Sequence, residues 1–220
     1  MSSSSASTKT STAAGDTENV TFQTHDFGLD RRITKAIASM RLVRPTLVQS
    51  KFIPLALKGK DICTRARTGS GKTLAFAIPV VQKMLRGDSM RMKSTTATAN
   101  TSDEQVGTRA LILVPSKELC YQVFQVFLGL TYYCKNDVTL SYLGDQSFEV
   151  QKMHLAKNPS ILVATPATIV QHIRRQSVSI KESLEMLVID EADLILSFGY
   201  KKDINVIVTH LPRICQTFLM

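Results

Sequence analysis

Absences narrow the field first. The chain of 220 residues has only four cysteines, Cys63, Cys120, Cys134 and Cys215, and none forms a C-x-x-C pair. Its four histidines, His25, His154, His172 and His210, are isolated, and none stands at metal-ligand spacing beside a cysteine. Neither a disulfide framework nor a zinc motif is therefore written in the sequence, and a reducing compartment, cytosol or nucleus, is expected. No apolar run reaches the about 20 residues a membrane-spanning helix needs, and the N-terminus lacks the apolar core of a signal peptide. There is no internal repeat and no clear basic localisation run.

The composition is that of a globular chain, 44% hydrophobic and 20% charged. The 27 Lys and Arg outnumber the 18 Asp and Glu, a formal net charge of +9. Such an excess favours polyanionic partners, nucleic acid first and acidic membranes second.

Residues 1–20 are Ser, Thr and Ala with little to bury, and read as a disordered tail. Residues 21–220 read as one domain, interrupted by a polar, low-complexity stretch over 87–108 that reads as a flexible surface loop. Short apolar runs predict strands at Asp61–Arg65, Arg109–Val114, Val138–Leu143, Ser160–Ala164, Met186–Ile189 and Thr217–Met220. Longer periodic segments predict helices at Arg31–Arg41, Leu47–Leu57, Gly71–Leu85, Ser116–Tyr133, Phe148–Lys157, Pro166–Arg174 and Lys202–Leu211. LILV, SILVA and MLVI are continuous apolar runs, the mark of strands covered on both faces. Strand then helix, repeated, gives an α/β fold: a parallel sheet with helices on both faces. Ligands then bind beyond the carboxyl ends of the strands.

Two motifs fall at such ends. Ala66-Arg67-Thr68-Gly69-Ser70-Gly71-Lys72-Thr73 follows a predicted strand and opens a helix, the context of a phosphate-binding loop. Its glycines let successive N–H groups converge on an anion at a helix N-terminus. Lys72 can reach β- and γ-phosphates and the Thr73 hydroxyl can ligate Mg²⁺. The usual pattern opens with Gly; Ala66 there is tolerable where the backbone is ordinary. Asp190-Glu191-Ala192-Asp193 follows the strand at Met186–Ile189. Asp190 can hold Mg²⁺ through water, and Glu191 can orient or deprotonate an attacking water.

Together these residues resemble the DEAD-box RNA helicases, whose name motif stands at 190–193 and whose phosphate loop opens with Ala. The resemblance runs from about Phe22 to Met220 and implies a RecA-like domain that binds ATP and Mg²⁺ and acts on RNA. Arg44-Pro45-Thr46-Leu47-Val48-Gln49 resembles the adenine-reading Q motif, and a Gln amide matches adenine's paired donor and acceptor. Phe22 and Phe27 are both candidates for the aromatic that stacks on the base. Pro115-Ser116-Lys117 resembles an RNA-backbone contact in which Lys replaces Arg, losing the bidentate fork. Thr165-Pro166-Ala167-Thr168 resembles a further RNA motif with Thr168 in place of Arg, and a family Gly-Gly pair survives only as Gly144-Asp145.

The family would continue past Met220 into a Ser-Ala-Thr motif paired with Asp193, and into a second RecA-like domain. That domain supplies arginine fingers and half of the RNA groove, so this chain alone is expected to be nearly inactive. The stretches Asp193–Tyr200 and His210–Met220 look like the nucleolar subfamily that assembles the large ribosomal subunit. Ribosomal RNA, the second domain as partner, a monomeric state and a nuclear, nucleolar location follow as expectations. A nucleotide-gated RNA-binding scaffold with little turnover is the alternative, and a DNA translocase or unrelated phosphate-loop kinase a more distant one.

Overall fold

The computed structural model describes residues 21–22, 27–94 and 107–220. The tail expected over 1–20 and residues 95–106 of the expected loop lie outside them. In chain order, α1 (Arg31–Ser39), α2 (Leu47–Leu57), β1 (Ile62–Cys63) and α3 (Lys72–Ser94) come first. Then follow β2 (Ala110–Leu113), α4 (Lys117–Leu130), β3 (Leu140–Leu143), α5 (Phe148–Leu155) and β4 (Ile161–Ala164). The remainder is α6 (Pro166–Arg174), β5 (Met186–Ile189), α7 (Ala192–Ser197), α8 (Lys201–Thr209) and β6 (Gln216–Leu219).

The strands form one sheet in the order β1-β6-β5-β2-β4-β3, and every pairing is parallel. The three apolar runs are its central strands, buried at each residue of β2, β4 and β5. Alternate residues divide between two cores, as a pleated strand requires. Ala110 and Ile112 join Val163, Val188 and Phe218 on the face covered by Ile33 of α1, Phe52 of α2, Phe76 of α3 and Phe127 of α4. Leu111 and Leu113 join Leu162, Leu187 and Ile189 on the other face, under Leu155, Ile169, Ile195 and Ile207 of the last four helices. Because all strands run the same way, every loop leaving a carboxyl end opens on one edge of the sheet.

Three elements depart from expectation. β1 is two residues, not five; among the described residues β6 is its only neighbour, and the chain leaves it for the phosphate loop. α3 runs on to Ser94, eight or so residues into the stretch read as loop, where Met, Arg and Lys favour helix more than the low-complexity reading allowed. Helix α7 was not foreseen; its six residues are too few to show a period. Among the described residues no helix is long and apolar enough to cross a membrane.

Candidate nucleotide site and adjoining cleft

Residues 66–71 cross from β1 to α3, and the backbone turns left-handed at Gly69 (φ 78°) and Gly71 (φ 87°). Only glycine adopts these angles without strain. Gly71 faces a further constraint: a Cβ there would lie 2.5 Å from Gln49 Nε2 and 3.2 Å from Thr46 Oγ1. The phosphate loop thus lies directly on the start of α2. Thr46 caps that helix, its Oγ1 accepting from the Gln49 N–H, while Gln49 Oε1 accepts from the Thr46 N–H at 2.9 Å. Gln49 Nε2 then donates to the Gly71 carbonyl at 3.1 Å. This reciprocal capping box leaves Gln49 buried, with its amide joining helix to loop; one N–H and one lone pair remain for another partner. Arg44 and Thr46 are exposed beside it.

The acidic motif sits two strands away, beyond β5. The Asp190 N–H donates to the Leu113 carbonyl at 2.9 Å, continuing the sheet. Its side chain is 8% exposed. Burial pushes the Asp190 carboxyl above its ordinary range, the Lys72 ammonium pulls it down, and Glu191 pushes it up. Glu191 itself stands at φ 51°, ψ 51°, a left-handed conformation uncommon outside glycine and typical of strained functional positions. The Glu191 N–H donates to Asp190 Oδ1 at 3.1 Å. Asp193 is exposed in the first turn of α7 and accepts from the Leu194 N–H at 3.0 Å.

Arg65, Ala66, Arg67, Thr68 and Lys72 line one wall of a cleft of about 710 Å³, and Glu191 and Asp193 line the other. Arg65 was missed by sequence because it lies before the motif; its side of the strand end is visible only in the fold. The residues fit a phosphate chain with its cation. The Ser70 hydroxyl is buried without a partner among the described residues, and Lys72 starts a helix whose dipole favours an anion. Among the described residues no group of three metal-ligating side chains occurs. Mg²⁺ is commonly held by one or two side chains together with substrate phosphates, and Thr73 with Asp190 matches that donor set.

The two candidate stacking aromatics are buried. Phe22 and Phe27 are 5% and 8% exposed, tilted against each other at 6.1 Å, and both belong to the core under α1–α4. Neither is among the residues lining the 710 Å³ cleft, and Phe22 lines a separate cavity of about 210 Å³ beside α1.

A second cleft, of about 590 Å³, gathers the other motifs. Pro115, Ser116 and Lys117 enter it after β2, Thr165 and Thr168 after β4, Gln146 from the loop after β3 and Phe148 from the start of α5. Ser116 and Thr165 are helix N-caps, accepting from the N–H groups of Leu119 and Thr168, and Pro166 takes the first position of α6. Lys117 meets Asp145 at 3.1 Å, both largely exposed. Thr168 is 9% exposed and shares a 2.8 Å hydroxyl contact with Thr165, so it stabilises the helix start and does not reach outward as an Arg would. Gly144 is held by its neighbours: its N–H donates to Gln146 Oε1, and its carbonyl accepts from Gln151 Nε2. Gln151, Phe148, Phe198 and Tyr200, which also line this cleft, were not singled out from sequence. Helix α7 was the missing signal for the last two.

A parallel sheet with a phosphate loop and an acidic strand end on the same edge defines a phosphate-loop nucleotide-binding protein of RecA-like fold. Residues 46–220 match the DEAD/DEAH box helicase family, and the chain belongs to it. A crystal structure of a DEAD box protein from the hyperthermophile Methanococcus jannaschii superposes with a TM-score of 0.74 at 30% identity, covering 90% of this chain and 49% of that one. A "Probable ATP-dependent RNA helicase ddx56" of Dictyostelium discoideum is 44% identical over 194 residues, 88% of this chain and 27% of the relative. "ATP-dependent RNA helicase dbp9" of Schizosaccharomyces pombe is 41% identical over 196 residues, 89% and 31% respectively. The chain therefore spans about a third of the length of these curated relatives.

Proposed function

We propose that this chain is the ATP-binding domain of an RNA helicase that unwinds short duplexes or remodels ribonucleoprotein, in nucleolar assembly of the large ribosomal subunit. One observation carries the reading: the phosphate loop and the acidic strand end face each other across one cleft, with the second cleft beside it on the same sheet edge. Lys72 binds the β- and γ-phosphates. The Thr73 hydroxyl and the Asp190 carboxylate hold Mg²⁺, which supplies charge neutralisation on the phosphate oxygens. The backbone N–H groups of the loop cradle the phosphates, apart from that of Ser70, which donates to the Arg67 carbonyl at 3.2 Å. Glu191 orients the attacking water and accepts its proton. Gln49 uses its remaining N–H and lone pair toward adenine, with Arg44 and Thr46 at the cleft rim. Pro115, Ser116, Lys117, Gly144, Thr165 and Pro166 receive the RNA backbone, a partner the net positive charge favours. A second RecA-like domain, closing over both clefts, completes the site with an arginine finger, worth about 10³–10⁵ in rate.

Glu191→Gln tests the assignment, because it keeps the shape and removes the base. ATP turnover, measured in the chain joined to a second domain, is expected to fall by about 10²-fold or more, with ATP affinity unchanged. Unchanged turnover removes Glu191 from the mechanism. The second reading, a nucleotide-gated RNA scaffold with little turnover, is favoured by the second cleft, where Thr168 is buried and Lys117 already faces Asp145.

A further inference from the structure

β3 closes one side of the sheet, with β4 its only neighbour among the described residues. The Ile161 N–H donates to the Thr139 carbonyl at 3.1 Å, so Thr139, and by alternation Ser141 and Leu143, turn toward β4. Leu140 and Tyr142 then turn their backbone N–H and C=O groups to the open edge. Proteins usually blunt such an edge with charge, proline or a covering element. Here a groove of about 430 Å³ runs along it, between α4 and the connection from α5 to β4.

The floor of the groove is apolar: Phe124 and Leu128 of α4 meet Val138, Leu140 and Tyr142. Its rim is basic, built by Lys135, His154 and Lys157, and among the described residues no Asp or Glu lines it. Lys135 is drawn to the Tyr132 ring, 4.4 Å from its centroid. The partly or fully exposed Tyr121, Phe124 and Leu128 recur along α4 at spacings of about one helical turn, and Tyr132, just past its end, extends the apolar strip beyond the groove.

We propose that this groove is a docking site for an extended acidic segment of another protein, which adds as a strand to the β3 edge. Main-chain bonds to Leu140 and Tyr142 would fix it, alternate apolar side chains would fill the floor, and intervening carboxylates would face Lys135 and Lys157. A second copy of this chain is disfavoured, because edge-to-edge pairing would bring two basic rims together. RNA is disfavoured because most of the floor is aliphatic, Leu128, Val138 and Leu140, side chains on which a base does not stack, and its two rings, Phe124 and Tyr142, are packed together at 4.8 Å.

The test is a random peptide library displayed on phage, panned against the whole chain. The Lys135→Glu/Lys157→Glu variant, both sites exposed, serves as the subtraction target. Enriched clones are expected to alternate acidic and apolar residues, and to lose binding about tenfold or more in that variant. The exposed Leu128→Asp substitution should weaken them by a similar factor, and circular dichroism checks the fold of each variant. With a selected synthetic peptide bound, amide hydrogen exchange should slow at Leu140 and Tyr142 and stay unchanged at Ser141 and Leu143. The proposal is overturned if no clone distinguishes wild type from variant, or if the protected amides lie elsewhere. Single-stranded RNA protecting the same amides, or dimerisation of the free chain through this edge, overturns it equally.

Discussion

Gly71 carries two demands at once, and each has a measurable consequence. A methyl there must adopt a left-handed φ and would press on Gln49 Nε2. Gly71→Ala is expected to destabilise the fold by roughly 1–3 kcal/mol and to weaken ATP by about tenfold. Calorimetric titration alongside thermal melting checks both. Asp190 runs the other way. Its carboxyl is held above its ordinary pKa by burial, so ionising it opposes folding: the stability it gives is present at low pH and lost as pH rises through its folded value. Asp190→Asn removes that loss. The variant is expected to melt higher than wild type near neutral pH without nucleotide, and the gap to close toward about pH 4. Magnesium-dependent ATP binding should fall in the same protein, the trade expected of a functional residue. A gap that persists unchanged in acid would mean that burial of the charge is not the cause.

At the scale of elements, the loops beyond β3 and β4 are joined by a buried relay. Gln151 of α5 donates to the carbonyls of Gly144 and Gln146, which fixes its amide so that Oε1 faces His172 Nε2 at 2.9 Å. His172 Nε2 must then be the donor, and Nδ1 is an acceptor with no partner among the described residues. The His172 ring stacks on Phe148 at 4.4 Å, and Arg175 covers the same phenyl ring at 4.3 Å. Burial lowers the His172 pKa, and Arg175 lowers it further. A depressed histidine gives stability that is whole above its unfolded value of about 6.5 and is lost as pH falls through the folded value. Urea midpoints should therefore drop between about pH 7.5 and 5.5, and His172→Leu should flatten that slope. It should also cost roughly 1–3 kcal/mol, since Gln151 Oε1 loses its donor. An unchanged slope would place the proton elsewhere.

For the whole molecule, the decisive quantity is the dependence of ATP turnover on RNA. The chain matches less than a third of its relatives' length, so the experiment belongs on the chain joined to the second RecA-like domain proposed above. Single-stranded RNA, and not DNA, is expected to raise turnover by about tenfold or more. Equal stimulation by DNA would break the RNA assignment. No stimulation by either would favour the scaffold reading, with buried Thr168 as its structural basis.

What the sequence determined by itself was whatever is written in contiguous residues. The runs LILV, SILVA and MLVI announce buried strands because nothing polar interrupts them, and G-S-G-K-T after a strand announces its loop because chain geometry there is local. Ser116, Thr165 and Pro166 are likewise legible as helix starts, since capping reaches only three residues. Tertiary structure decided what depends on distant neighbours. Phe22 and Phe27 look free in sequence, yet the core under α1–α4 claims both rings, because burying a large apolar surface outweighs leaving it at a ligand site. Gln49 looks like a reader, yet its amide is first a clasp on Gly71, a residue 22 positions away. The relay from His172 to Gly144 and the open edge at Leu140 and Tyr142 have no sequence signature at all. They arise where parallel strands from separate parts of the chain are laid side by side, and only that register sets which groups meet and which remain unpaired.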